Sequence, residues 1–72
     1  MYFKRLADLR IDHDLSQKQV STILNMHPTV YSRYERGYRE MPTWAIIKLA
    51  DFYETSIDYL VGRTDNPSAP RA

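Results

Sequence analysis

Hydrophobic residues in the segment 17–36 recur at three- and four-residue intervals, in two short groups. The groups are Val20, Ile23 and Leu24, followed by Tyr31 and Tyr34. This spacing places each group on one face of a short helix. We therefore predict two short helices that turn their apolar faces into one shared core.

The connection between these two helices is very short and reads Asn25-Met26-His27-Pro28. Asn25 tolerates the left-handed conformation that ends a helix, and Pro28 suits the first turn of the next helix. Two short helices joined so tightly and set at a steep angle form a helix-turn-helix. The second helix of this motif can enter the major groove of DNA.

The remaining sequence predicts three further helices and no strands, and hence an all-α fold. The first helix has a stripe formed by Phe3, Leu6, Ala7 and Arg10 and is expected to end near Asp12. Ser16 and Gln19 form a capping-box pattern for the second helix, and the third is expected to run from Pro28 to about Arg36 before Gly37. For the fourth helix we predict a Thr43 cap and buried Ile46, Leu49, Ala50 and Tyr53, and for the fifth Ile57 to Val61 between Ser56 and Gly62.

Short motifs extend through most of the chain, from Leu6 to Gly62. They are Leu9-Arg10, Leu15-Ser16-Gln17, Tyr31-Ser32-Arg33-Tyr34-Glu35-Arg36-Gly37, Leu49-Ala50-Asp51 and Ser56-Ile57-Asp58-Tyr59-Leu60-Val61-Gly62. Together they resemble the Cro/C1-type (XRE) family of bacterial and phage repressors, which includes lambda repressor. The resemblance implies a compact five-helix lambda-repressor-like domain whose helices two and three form the helix-turn-helix. Two positions depart from the family pattern, because Ser21 replaces a usual Ala and Asn25 a usual Gly.

The length of 72 residues allows one small domain, which we place at residues 1–63. Residues 64–72 contain two prolines and no apolar pattern, and are expected to form a flexible tail or the start of a linker in a longer regulator. There is no cysteine, no apolar leader and no stretch of membrane-spanning length. We expect a soluble cytoplasmic, nucleoid-associated protein with no membrane partner.

Positive charge is concentrated on the predicted helix-turn-helix, although the net charge of the chain is only +1. The segment 17–39 holds four basic residues and one acid, a balance of +3, so the rest of the chain sums to −2. This asymmetry favours a double-stranded DNA partner. The alternative is that the four cations simply lie on a solvated face.

The face of the third helix opposite Tyr31 carries Thr29, Ser32, Arg33 and Arg36. The family resemblance implies that His27, Pro28, Thr29, Ser32 and Arg33 contact base edges. Arg33 can donate two hydrogen bonds to guanine, whereas Thr29 and Ser32 are shorter and more adaptable. For His27 a base contact, a phosphate contact and a helix cap all remain open.

We expect phosphate contacts from the start of helix two and from the loop after helix three. The residues assigned to this role are Gln17, Lys18, Arg36, Tyr38 and Arg39. For Lys18 a purely solvated position is an alternative.

Arg10 and Glu35 each lie on an inward-facing side of a predicted helix, where an unpaired charge is costly. We predict that they form a structural ion pair, as the corresponding residues do in the repressors that this chain resembles. The alternative is two unrelated surface charges.

One helix reads only a few base pairs, so proteins of this type usually bind as two-fold dimers to an inverted-repeat operator. The family resemblance implies a homodimer contact in the C-terminal part, where Met41, Trp44, Ile57 and Tyr59 are the candidates. The alternative is that these four residues complete the core.

No catalytic or metal-binding pattern stands out, and we expect neither an enzyme nor a cofactor. Asp12-His13-Asp14 lacks the convergent ligands of a metal site, and two glycines are too few for a glycine-rich phosphate loop. A second functional hypothesis is an antitoxin-like protein that binds a toxin partner and its own promoter, because this fold serves both roles.

Overall fold

The computed structural model describes residues 3–66, which form five α-helices and no strand. The helices are α1 (Lys4–Asp12), α2 (Gln17–Ile23), α3 (Pro28–Glu35), α4 (Thr43–Phe52) and α5 (Ile57–Leu60). The predicted five-helix, all-α fold with α2 and α3 as the helix-turn-helix is therefore confirmed. The third and fifth helices are each one residue shorter than predicted.

All five helices or their ends contribute to one hydrophobic core. Its buried residues are Leu6, Val20, Leu24, Tyr31, Met41, Ala45, Leu49, Ala50, Tyr53 and Leu60. Ile46, predicted to be buried, is only partly buried against this cluster, whereas Ala45, which was not predicted, is fully buried. A small residue at position 45 lets α4 lie close to the other helices.

Every helix ends in a Schellman motif, in which one residue adopts the left-handed conformation. In α2 this residue is Asn25, with φ 56°; its amide donates to the Thr22 carbonyl at 3.1 Å, and the Met26 amide donates to the Ser21 carbonyl at 2.9 Å. Gly37 and Gly62 occupy the same position after α3 and α5. The predicted role of Asn25 is confirmed, and the chain needs no glycine there.

Two predicted helix starts are confirmed and one is wrong. The Ser16 hydroxyl accepts from the Gln19 amide at 3.0 Å, and the Ser16 amide donates to the Gln19 side chain at 2.8 Å. Ser56 likewise accepts from the Tyr59 amide at 2.9 Å. In α4, however, the cap is Pro42 and Thr43 is the first helical residue. The extended Pro42 supplies the carbonyl that accepts the first helical bonds, so a hydroxyl at Thr43 comes one residue too late.

Arg5 joins the start of α1 to the segment that follows α5. Its guanidinium donates to the carbonyls of Tyr59 (2.9 Å) and Thr64 (2.8 Å) and pairs with the Asp65 carboxylate at 3.0 Å. It also lies 4.1 Å from the centre of the Tyr59 ring. Of the predicted tail, residues 67–72 lie outside the described residues, so its flexibility remains a prediction.

None of the helices within residues 3–66 is both long and apolar enough to cross a membrane.

Candidate nucleic-acid interface

The turn between α2 and α3 fixes how the two helices meet. Pro28 is the first residue of α3, and the His27 ring nitrogen Nδ1 accepts a hydrogen bond from the Thr29 amide at 3.1 Å. His27 is therefore the cap of α3, one of the three roles that the sequence left open. Capping leaves Nε2 as the ring nitrogen that carries the proton in neutral His27.

Ser21 of α2, where the family usually has alanine, fits into the closely packed contact of this helix. Ser21 is buried, and its hydroxyl donates to the Lys18 carbonyl at 2.6 Å. The hydroxyl is thus satisfied within its own helix, which removes the cost of burying it.

The two faces of α3 differ in the way its sequence spacing predicts. Tyr31 is fully buried and Tyr34 packs partly buried against the core. On the other face Thr29 and Arg33 are exposed, and Ser32 is half-buried. Short and long hydrogen-bonding side chains therefore share one accessible helix face, as a base-reading helix requires.

Arg10 of α1 and Glu35 of α3 form a two-pronged ion pair. Arg10 Nε donates to Glu35 Oε2 at 2.9 Å and Arg10 Nη2 donates to Oε1 at 3.0 Å. The third donor, Nη1, binds the Leu15 carbonyl at 2.9 Å. The exposed fractions of the two side chains are only 16% and 6%, so this is a buried pair that fixes α3 against α1.

Glu35 is also bound by α2, because Gln17 Nε2 donates to its Oε1 at 3.1 Å. Burial alone would raise the pKa of Glu35, but the hydrogen bonds from Arg10 and Gln17 and the positive charge of Arg10 lower it below its ordinary value. Burial and the nearby Glu35 carboxylate in turn raise the pKa of Tyr31. The carboxylate therefore stays ionised and joins three helices.

The sequence predicts a phosphate contact for the Gln17 side chain and gives no sign of its bond to Glu35. Nothing in the spacing of Gln17 and Glu35, which are 18 residues apart, indicates that they meet.

The buried pair changes the charge of the surface. Glu35 is the only acid in the segment 17–39, and it is neutralised by an arginine from outside that segment. The four basic residues of the segment are all exposed, and none forms an ion pair with another residue of the described chain. They are Lys18, Arg33, Arg36 and Arg39. The helix-turn-helix thus presents four cations and no acid to the solvent.

The loop after α3 adds Tyr38, which is 74% exposed. The amides of Tyr38 and Arg39 both donate to the Arg33 carbonyl, at 2.9 and 3.3 Å. This fixes the backbone of the two residues at the end of α3, next to the predicted base-reading face.

The four candidates for a dimer contact lie in different surroundings. Met41 is buried in the core and Ile57 packs against it, which agrees with the core alternative for these two residues. Tyr59 is half-buried and lies under the Arg5 guanidinium. Trp44 is 54% exposed at the start of α4.

In the acidic segment at the end of α1, the contacts of the structure involve His13. His13 Nδ1 lies 2.8 Å from the Leu9 carbonyl, and its ring lies 4.9 Å from that of Tyr53. In the described range no three His, Asp or Glu residues lie close enough together to hold a metal ion.

A helix-turn-helix family model matches residues 6–60, a range that includes α2 to α5 and most of α1. The match agrees with the short α2–α3 turn and with the motifs that resemble Cro/C1-type repressors. The chain therefore belongs to the Cro/C1-type helix-turn-helix family.

Three curated relatives are similar to the chain along most of its length. The uncharacterized HTH-type transcriptional regulator YobD of Bacillus subtilis is 34% identical over 67 residues, which cover 93% of this chain and 60% of that protein. The HTH-type transcriptional regulator ImmR of Bacillus subtilis is 37% identical over 62 residues, which cover 86% and 49%. The cryptic phage CTXphi transcriptional repressor RstR of Vibrio cholerae is 31% identical over 65 residues, which cover 90% and 59%.

The chain thus spans about half to three-fifths of the length of these relatives. No solved structure matches it.

Proposed function

We propose that this chain is a sequence-specific regulator of transcription that binds double-stranded DNA. It acts as a repressor, by occupying an inverted-repeat operator as a dimer with α3 in the major groove. The observation that carries the proposal is the acid-free surface of the helix-turn-helix. Residues 17–39 carry four exposed cations on and around a capped, rigidly held helix, and the only carboxylate of this segment is buried and paired.

Arg33 is the main base-reading residue in this proposal. It is exposed in the last turn of α3, and its guanidinium can bind O6 and N7 of one guanine. Thr29 lies one turn earlier on the same face, and Ser32 directly precedes Arg33. Both suit smaller contacts, including a contact of Thr29 with the methyl group of thymine. His27 and Pro28 shape the start of the helix, and the Nε2 group of His27 is the ring donor left for DNA.

Phosphate groups are bound by side chains around this helix and by the amides at the start of α2. Lys18, Arg36, Tyr38 and Arg39 are exposed and fit this role. Gln17 contributes its backbone amide, because its side chain is held by Glu35. Such contacts set the position of the protein on DNA without reading its sequence.

A selection experiment tests the proposal. The purified chain is incubated with a random duplex pool at two salt concentrations, and the bound fraction is sequenced. We expect enrichment of an inverted repeat whose half-sites are about 34 Å, or one helical turn, apart. Retention that is sensitive to salt but blind to sequence would contradict the proposed specificity. No retention at all would contradict DNA binding and favour a protein partner.

A further inference from the structure

Val30, in the first turn of α3, is an apolar residue that the hydrophobic core does not use. Its side chain is half-buried, and among the described residues it belongs neither to the buried cluster nor to the partly buried side chains that pack against that cluster. Tyr31 and Tyr34 of the same helix do belong to these two groups. Core packing therefore does not account for a branched apolar side chain at position 30.

The position of Val30 around the helix places it at one edge of the predicted base-reading face. At 3.6 residues per turn, Thr29, Arg33 and Arg36 lie within an arc of about 60°. Val30 lies about 90° from the middle of this arc, and Ser32 lies about 70° from it in the other direction. Both are half-buried, so they flank the face in nearly the same way.

Polarity alone separates these two flanking residues in the sequence. Ser32 is predicted to contact DNA, whereas an apolar residue of an amphipathic helix ordinarily belongs to the core. The structure removes that reason for leaving Val30 out of the face, because Val30 lies outside the core cluster.

The chemistry of the major groove restricts what a valine can contact there. Base pairs present hydrogen-bonding groups in this groove, and the 5-methyl group of thymine is the apolar group among them. The Val30 side chain has no hydrogen-bond donor or acceptor, so neither a phosphate nor the polar edge of a base is a suitable partner. Its two methyl groups can instead exclude water from the methyl group of thymine.

We infer that Val30 contacts the 5-methyl group of one thymine in each half-site and so selects thymine at that position. The inference rests on the proposed function, which places α3 in the major groove, and adds a base preference to it. Cytosine is disfavoured at this position, because its amino group would lie against an apolar side chain without a hydrogen-bond acceptor.

The spacing of Val30 and Arg33 predicts where this thymine lies. The two residues are three positions apart, about 4.5 Å along the helix axis and about 60° around it. Neighbouring base pairs are about 3.4 Å apart. The thymine should therefore lie within two base pairs of the guanine that Arg33 reads.

Replacement of thymine by uracil tests the inference, because it removes the methyl group and keeps every hydrogen-bonding group. The operator enriched by the duplex selection is synthesised with uracil at one thymine position of both half-sites at a time, and binding of the full chain is titrated. We expect one position, within two base pairs of the guanine whose preference Arg33→Ala relaxes, at which uracil lowers wild-type affinity about four-fold for each half-site. For Val30→Ala the same uracil substitution should change the affinity by less than about two-fold in total.

Two further variants control for other effects. Thr29→Ser removes a methyl group from the adjacent residue and keeps its hydroxyl, and should retain the full uracil effect at this position. Val30→Thr keeps the branched shape with one methyl group fewer, and should show a smaller uracil effect than wild type. Each comparison sets two duplexes against the same protein, so a loss of folded fraction cancels from the ratio.

The outcomes separate failure of this inference from failure of the proposed function. An enriched operator in which no thymine near that guanine is sensitive to uracil would reject the Val30 contact alone. An equal uracil effect in wild type and Val30→Ala, or its loss in Thr29→Ser, would also overturn the inference. If wild type enriches no operator, the proposed function has failed and the Val30 contact fails with it.

Discussion

At the scale of single residues, the buried Arg10–Glu35 pair determines how the proposed recognition helix is held. Removing one partner of a buried pair leaves the other charge unpaired, which costs about 3–5 kcal/mol, whereas an exposed pair contributes about 0–1 kcal/mol. We expect Arg10→Ala to lower the free energy of unfolding by about 3–5 kcal/mol, as measured by chemical denaturation. The exposed Arg63 is the matched control, because Arg63→Ala should change stability by less than about 0.5 kcal/mol. A loss below about 1 kcal/mol for Arg10→Ala would show that the pair contributes no more than an exposed ion pair.

The same pair predicts a dependence of stability on pH. The pKa of Glu35 is lower in the folded chain than its ordinary value of 4.5. The unfolded state therefore binds the proton more tightly, so the contribution of Glu35 is fully present above about pH 4.5 and is lost as the pH falls through the folded-state pKa. We expect the stability of wild type to decrease more steeply below pH 4.5 than that of Glu35→Gln. Parallel curves for the two proteins would exclude this role of Glu35.

Arg33 and Arg39 provide a residue-scale test of the proposed DNA contacts. Arg33→Ala should relax the preference at one position of each half-site, at a cost of about 1–3 kcal/mol on the preferred sequence. Arg39→Ala should weaken binding to all sequences alike. Binding titrations on a panel of single-base operator variants measure both effects. A change of base preference in Arg39→Ala would contradict its assignment to a phosphate.

At the scale of the helices, the sequence predicts what depends on local residue type. Ser16, Ser56, Asn25 and Pro28 have the capping and turn roles expected of them because these roles need only neighbouring backbone groups. The Arg10–Glu35 pair could be predicted because each residue is a charge on an otherwise apolar helix face. The Gln17–Glu35 bond depends on how α2 and α3 pack, and residue type carries no signal for it. Similarly, Thr43 has the right chemistry for a cap, but the entry of the chain into α4 is set by Pro42.

The helix ends provide a prediction at this scale. Glu54 adopts φ 55° after α4, a conformation that is unfavourable for residues with a Cβ atom and that glycine adopts readily. Glu54→Gly should therefore stabilise the chain by about 1 kcal/mol. Glu54→Ala is the control, because it removes the carboxylate and keeps the Cβ atom. Thermal unfolding of both variants measures the difference, and an equal gain in the two would assign the effect to charge.

At the scale of the whole molecule, charge is distributed unevenly between the helix-turn-helix and the rest of the chain. If each exposed cation binds one phosphate, its removal should reduce the slope of log affinity against log salt concentration by about 1. We expect this for Lys18→Ala and for Arg36→Ala. Lys4→Ala, an exposed cation on α1, should leave the slope unchanged. Unchanged slopes for Lys18→Ala and Arg36→Ala would place the two residues away from the phosphates.

The Arg5 contacts also bear on how the fold can be connected to other chains. Arg5 and Asp65 are separated by 60 residues in sequence, yet their side chains touch. Both ends of the described chain therefore leave the fold at the same place. Neighbouring ends make a domain suitable for insertion into a surface loop of another protein, and for circular permutation through a short linker. The helix-turn-helix, which lies between these ends in sequence, would keep its internal connections in either design.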